Sequence, residues 1–340
     1  MNQIYHAFTL FLSLLVEAMP FLLLGVLLSS SLILFLDEGK LIAKLPRHPI
    51  LGAMVGSLIG FFFPVCECGN VPVARRFLLQ GLPTSVAIAF LLAAPTINPV
   101  VIWSTYIAFR GQPEVIWYRI IFSLAIAITI GCVFSLQKDS RPLLKPILAK
   151  RLTALMWEEE RKKESFSPQD NLLQSGTFLL TQPGQRVKMD ALTLQKKVNS
   201  NSPKIIQQKF QLFFDNVIQE LRELGGVLII GSAIASSIQV FVPREVILNL
   251  GQGTISSIVA MMILAAVVSI CSTVDSFFVL SFASTFTTSS LIAFLVFGPM
   301  IDIKAIGLML SIFKPRMIIY LFTLAAQLTL ILTIYHSYFS

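Results

Sequence analysis

The stretch Thr84-Ser85-Val86-Ala87-Ile88-Ala89-Phe90-Leu91-Leu92-Ala93-Ala94-Pro95 returns in the second half of the chain as Thr288-Ser289-Ser290-Leu291-Ile292-Ala293-Phe294-Leu295-Val296-Phe297-Gly298-Pro299, with seven of twelve positions identical. At the same offset Asn98 meets Asp302, and Glu67-Cys68 meets Cys271-Ser272. Two residues further in offset, Glu17 meets Glu223, Gly25 meets Gly231, and Ser30-Ser31 meets Ser236-Ser237. The matches keep their order, and the shared polar and proline positions argue against chance likeness between apolar segments. The chain therefore divides into a first repeat over 1–137, a linker over 138–209 and a second repeat over 210–340.

Around the repeats the composition is that of a polytopic membrane protein. The 340 residues are 55% hydrophobic and 13% charged, with a mean hydropathy of +0.78, which excludes an ordinary soluble domain. In the first half, apolar segments lie near 6–36, 48–64, 84–109 and 117–137, with a short one ending at Gln80. The segment over 84–109 is expected to break at Pro95 and Pro99. In the second half they lie near 211–241, 254–270, 288–312 and 317–337, with a short one ending at Thr285 and a break expected at Pro299. The first segment has no basic flank ahead of it and is too long for a signal-peptide core, so it reads as an uncleaved span.

Charge sets the topology. The net charge is +8, and 14 Lys/Arg against 7 Asp/Glu between Lys138 and Lys209 put +7 of it in one segment. A basic excess confined to one loop fits the positive-inside rule and not a nucleic-acid surface. With 138–209 cytoplasmic, Lys40, Lys44, Arg47, Lys314 and Arg316 all fall on the same side, and both termini fall outside. Each half then crosses an odd number of times, which makes the repeats inverted. The expected fold is an all-α integral protein of the inner or plasma membrane with two inverted-topology repeats. Each has three transmembrane helices and a broken or re-entrant hairpin, roughly 8–10 apolar segments in all. The hairpin tips fall near Cys66–Asn70 and Cys271–Asp275. In the linker, an amphipathic stretch near 143–163 carries Trp157 as a membrane-surface candidate.

The polar residues at hairpin tips and helix breaks are the site candidates, because such groups are costly at membrane depth. Glu67 leads: a desolvated carboxylate there is suited to carry a proton or contact a cation, or to pair with Arg75 or Arg76. Asp275 is the comparable acid of the second hairpin. Asn70 lies in the first tip, and Asn98 and Asp302 follow Pro95 and Pro299, where freed backbone groups line a cavity or need partners. Cys66 and Cys68, spaced C-x-C, suit soft ions or soft substrates, and Cys271 could supply a third thiol. As a metal site the two thiols alone are incomplete, and small packing residues are the plain alternative. Arg75 and Arg76 read as topology anchors or as attractors of an anionic substrate. Lys304 has the same ambiguity and could pair with Asp302. Glu17 and Glu223 recur at one place in both first helices and could carry protons or sit solvated at a helix end. Cys132 reads as packing within an apolar helix. No cofactor motif is evident, and the three histidines lie near segment ends.

The run Pro-Val-Cys-Glu-Cys-Gly-Asn-Val-Pro-Val-Ala-Arg-Arg over 64–76, followed by Ala-Ala-Pro-Thr-Ile-Asn-Pro-Val-Val over 93–101, resembles the predicted-permease family that includes bacterial organoarsenical efflux permeases. The match around 271–304 extends the resemblance to both membrane halves. It implies an integral inner-membrane transporter without ATPase machinery. It also implies that Cys66 and Cys68 contact a thiophilic substrate in the arsenical-exporting members.

The expected function is a non-enzymatic secondary permease, driven by an ion gradient, that exports a small thiophilic or anionic solute. Glu67, with Asp275 or Asp302, would couple proton to solute movement. Its expected partners are the lipid bilayer, a small-molecule or ion substrate and further copies of itself in a homo-oligomer, with no nucleic acid. The alternatives are a membrane thiol oxidoreductase using Cys66/Cys68 and a gradient-independent channel.

Overall fold

The computed structural model describes residues 2–35, 48–63, 66–135, 203–241, 253–283 and 285–339. Pro64, Val65, the basic residues between 40 and 47, most of the linker with its 143–163 stretch, and the segment 242–252 lie outside the described residues. The described chain is helical throughout: α1 (Asn2–Phe35), α2 (Pro49–Phe62), α3 (Glu67–Leu79), α4 (Thr84–Ile97), α5 (Pro99–Ala108), α6 (Pro113–Ser135), α7 (Pro203–Phe241), α8 (Thr254–Val268), α9 (Asp275–Leu280), α10 (Thr288–Met300), α11 (Ile303–Met309) and α12 (Pro315–Phe339). α2, α5, α6, α7 and α12 open on a proline, whose fixed φ and missing N–H suit a first helical turn.

Six spans are long and apolar enough to cross a membrane: α1, α4 with α5, α6, α7, α10 with α11, and α12. The two composite spans are mostly buried, whereas α1, α6, α7 and α12 turn much of their surface outward. The bundle is therefore built around α4 and α10, which touch each other. α4 packs with α2 and α6, and α10 packs with α8 and α12. α1 and α7 lie side by side and run antiparallel, with Ser29 reaching Glu220 at one end and Glu17 sharing a cavity with Gln239 at the other.

α2 and α8, at about 21–23 Å, are shorter than the ~30 Å hydrocarbon core. Each runs parallel to the long helix it leans on. Gly56 sits against Val86 and Gly60 against Ala94 on α4; Ser257 approaches Thr287 and Ala265 approaches Gly298 on α10. The chain then reverses. α3 returns along α4, where Asn70 donates to the Leu91 carbonyl at 2.8 Å, and α9 returns along α10, where Phe278 meets Phe294. Phe63 and Cys66, where the first hairpin reverses, and the turn over 269–274 thus lie deep in the bundle, level with the breaks in the composite spans.

Those breaks fall at Asn98 and Asp302, three residues beyond Pro95 and Pro299, which remain inside α4 and α10. The break expected at Pro99 is found, since Pro99 opens α5, whereas those expected at Pro95 and Pro299 are corrected by this shift, and the polar residue that caps the next helix explains it. Asn98 Oδ1 accepts from the Val101 N–H at 2.9 Å, and Asp302 Oδ1 accepts from the Ala305 N–H at 2.6 Å. A side chain able to cap is what lets a new helix start there. Beyond each break, the continuing helix meets the other half's return arm: α5 contacts α9, and α11 contacts α3.

Candidate functional site

The turn that carries Cys66, Glu67 and Cys68 meets the turn that carries Cys271, and the N-terminus of α11 closes the same space. Cys66 is the N-cap of α3, and Glu67 and Cys68 lie in its first turn. The Cys66 thiol neighbours those of Cys271 and Cys68. Thr273 Oγ1 approaches Cys271 Sγ at 3.6 Å. Glu67 interacts electrostatically with Asp302 and Lys304. Lys304 lies in the combined field of Asp302, Glu67 and Glu17. Cys66, Glu67, Cys68, Cys271, Asp302 and Lys304 are buried, whereas Glu17 and Thr273 are half-buried. Helix N-termini carry partial positive charge, so α3 and α11 both favour a carboxylate where Glu67 and Asp302 stand.

Close backbone contact makes this convergence possible. A Cβ on Gly25 would overlap the Gly69 carbonyl, so α1 touches α3 one turn from Glu67. Its repeat partner Gly231 has the Lys304 Cα 3.6 Å from where its own Cβ would stand. Ser269, at φ 46°, takes the left-handed conformation that ends α8, and its hydroxyl lies beside the Asp302 carboxyl.

The cluster is under-satisfied. Glu67 Oε2, Asn70 Oδ1, Ser269 Oγ, Ser272 Oγ and Asp302 Oδ2 are all buried without a hydrogen-bond partner among the described residues. Buried polar atoms are ordinarily paired, so several orphans on the two turns and one helix start mark a place built for something else. Glu67 Oε2, Asn70 Oδ1 and Asp302 Oδ2 are acceptors, which suits a cation, a proton or a donor-rich solute.

Other predicted residues lie elsewhere or are already engaged. Asn98 spends both ends of its amide locally, on the Val101 N–H and the Ala94 carbonyl. Arg75 forms an ion pair with Glu223 at 2.7 Å, and Arg76 lies in the field of Glu220. Asp275 is held by Arg119 of α6: Nη2 donates to Oδ2 at 2.7 Å and Nη1 to Oδ1 at 3.2 Å. Nη1 also donates to Thr105 Oγ1 at 2.8 Å and Ser276 Oγ at 2.9 Å. This network ties the first half's α5 and α6 to the second half's α9.

Arg119 and Glu220 were missed in the sequence reading. Arg119 sits near the start of α6, where it reads as an interface charge; its place inside the apolar run Trp117–Phe122 was the available signal. The four cysteines are free thiols. Among the described residues, no group of three or more His, Cys, Asp or Glu side chains is placed to hold a metal ion.

Comparison with known proteins agrees with a membrane transporter. The chain is 37% identical over 315 residues, 93% of its length and 91% of the relative's, to the UPF0718 protein YcgR of Bacillus subtilis (strain 168). It is 30% identical over 318 residues, 94% of its length and 90% of the relative's, to a Streptococcus mutans protein named "Putative two-component membrane permease complex subunit". No solved structure matches it. The model of the ArsP_1 family, described as predicted permease, matches residues 3–338, nearly the whole chain. This multi-pass integral membrane protein belongs to the ArsP_1 predicted permease family.

Proposed function

We propose that the chain is a secondary permease whose solute and coupling ion meet at the Glu67–Asp302–Lys304 cluster, with Cys66, Cys68 and Cys271 contacting a soft, thiophilic solute. The observation that carries this reading is the set of orphaned buried polar atoms at the meeting of two deep turns and a helix break. Broken helices whose ends face a mid-depth site are a recurring transporter device. Glu67 and Asp302 are the coupling pair in this reading. Asp275 acts through Arg119 as a structural partner. The repeats are inverted and 138–209 is cytoplasmic, a reading supported by the antiparallel α1 and α7 and by the matching contacts of the two hairpins. Direction is outward and the drive is an ion gradient. The Streptococcus mutans relative's name suggests a second membrane subunit as a partner.

The test is transport into proteoliposomes of a panel of trivalent organoarsenicals and metal–thiol complexes under an imposed proton gradient. Glu67→Gln should abolish gradient-driven accumulation while leaving thermal unfolding of the purified protein in place. Unchanged transport with unchanged pH dependence removes Glu67 from coupling. Flux that ignores the gradient in the unaltered protein would make it a channel. The proximity of Cys66 and Cys271 favours one further reading, a thiol oxidoreductase. Thiol trapping that finds no disulfide during turnover dismisses it.

A further inference from the structure

Two cavities approach the cluster from opposite sides. One, of about 450 Å³, is lined by Ser13 and Glu17 of α1, Gln239 of α7, Val268 and Ile270 around the end of α8, and Val274 beside α9. The other, of about 600 Å³, is lined by Arg75, Glu223, Gly231, Ile303, Gly307 and Ser311. Val268 and Ile270 flank Ser269, which lies beside the Asp302 carboxyl. Ile303 stands between Asp302 and Lys304 in the chain, and Gly231 faces the Lys304 backbone. The cluster is therefore the partition between the two spaces. On α7, Glu223 and Gln239 are about 24 Å apart along the axis, so the cavities belong to opposite ends of the bundle.

The repeat-related acids Glu17 and Glu223 each line one cavity, and their surroundings differ. Glu223 is paired with Arg75. The Glu17 carboxylate, half-buried in an otherwise mostly apolar wall, makes no hydrogen bond or ion pair among the described residues. Its charge interacts with that of Lys304, across the partition. A carboxylate at membrane depth without a protein partner needs water or a cation beside it. Lipid tails would leave it unsolvated.

We propose that the smaller cavity is an aqueous vestibule for a small cation, with Glu17 as its selectivity carboxylate. The larger cavity is its counterpart on the other face, with the Arg75–Glu223 pair at its wall. This deepens the transport reading by naming the route to the cluster, and it rests on that reading for its purpose only. The vestibule's existence and selectivity are testable without any transported solute.

The experiment uses the full chain in right-side-out and inside-out vesicles. Ser13→Cys and Ser311→Cys variants are exposed to membrane-impermeant methanethiosulfonates, one cationic and one anionic, and the modified residue is identified by peptide mapping. Position 13 should react from one face and position 311 from the other. Position 13 should react about tenfold faster with the cationic reagent, corrected for intrinsic reactivity, because a carboxylate in a low-dielectric cleft concentrates cations. Adding Glu17→Gln should bring that ratio close to parity while position 13 stays reactive. Reaction of both positions from one face overturns the proposal. So does reaction of position 13 with lipophilic maleimides alone, or a charge ratio that Glu17→Gln leaves unchanged. Loss of the ratio in Glu17→Gln together with normal transport by Glu67→Gln would leave the vestibule standing and remove the coupling role proposed for Glu67.

Discussion

Replacing Asp275 by Asn separates a structural role for this acid from a coupling one. Arg119 and Asp275 have side chains only 1% and 2% exposed, so water cannot take over from either partner. The substitution keeps the shape and removes the charge. It leaves a guanidinium whose Nε already lacks a partner facing Thr105, Ser276 and a neutral amide. Breaking a buried pair by removing one charge costs about 3–5 kcal/mol, and retained hydrogen bonding to the Asn carbonyl places Asp275→Asn near the lower end. Asp275→Ala, which withdraws both acceptors, belongs near the upper end. Replacing both residues, Arg119→Met with Asp275→Leu, should recover most of the loss, because no stranded charge remains. The assay is reversible unfolding in mixed detergent micelles, with Arg119→Met, Asp275→Leu and the double substitution read as a cycle. A cost below about 1 kcal/mol for Asp275→Asn, or a double substitution as damaging as the sum of the singles, would refute the ion pair as a structural tie.

Three other outcomes follow from the same geometry. Gly25→Ala should destabilise by about 1–3 kcal/mol or disrupt the site, because its Cβ would overlap the Gly69 backbone, as tested by thermal unfolding. Gly225→Ala and Gly226→Ala, with nothing within 4 Å of the added carbon, should instead be neutral or stabilising by up to about 1 kcal/mol. Lys304→Met should be less harmful to stability when combined with Asp302→Asn than alone, since the pair shares one buried electrostatic environment.

Much of this architecture was legible in the sequence because membrane depth makes polar residues conspicuous. The repeat around Thr84–Pro95 and Thr288–Pro299 marked the two central spans, and the short apolar segments marked the hairpins. Glu67, Cys271 and Asp302 were each visible as misfits in apolar surroundings, although their convergence was not. That convergence depends on Gly25 and Gly231, whose meaning lies in how closely the backbones approach. The break at Pro99 was legible, but those expected at Pro95 and Pro299 were displaced because proline only weakens a helix, whereas Asn98 and Asp302 can start the next one. Asp275 looked like a coupling acid because its partner, Arg119, comes from the other repeat, and no local spacing rule links residues 156 positions apart.

That separation has a consequence during biosynthesis. Arg119 leaves the ribosome long before Asp275, and at about 5–20 residues per second the interval is roughly 10–30 s. For that time the nascent first half carries a guanidinium within its sixth helix without its native counter-charge. Insertion machinery, a chaperone or lipid phosphates must host it until the second half arrives. A truncated product ending before residue 275 would keep that charge stranded, giving membrane proteases a mark by which to tell unfinished chains from complete ones.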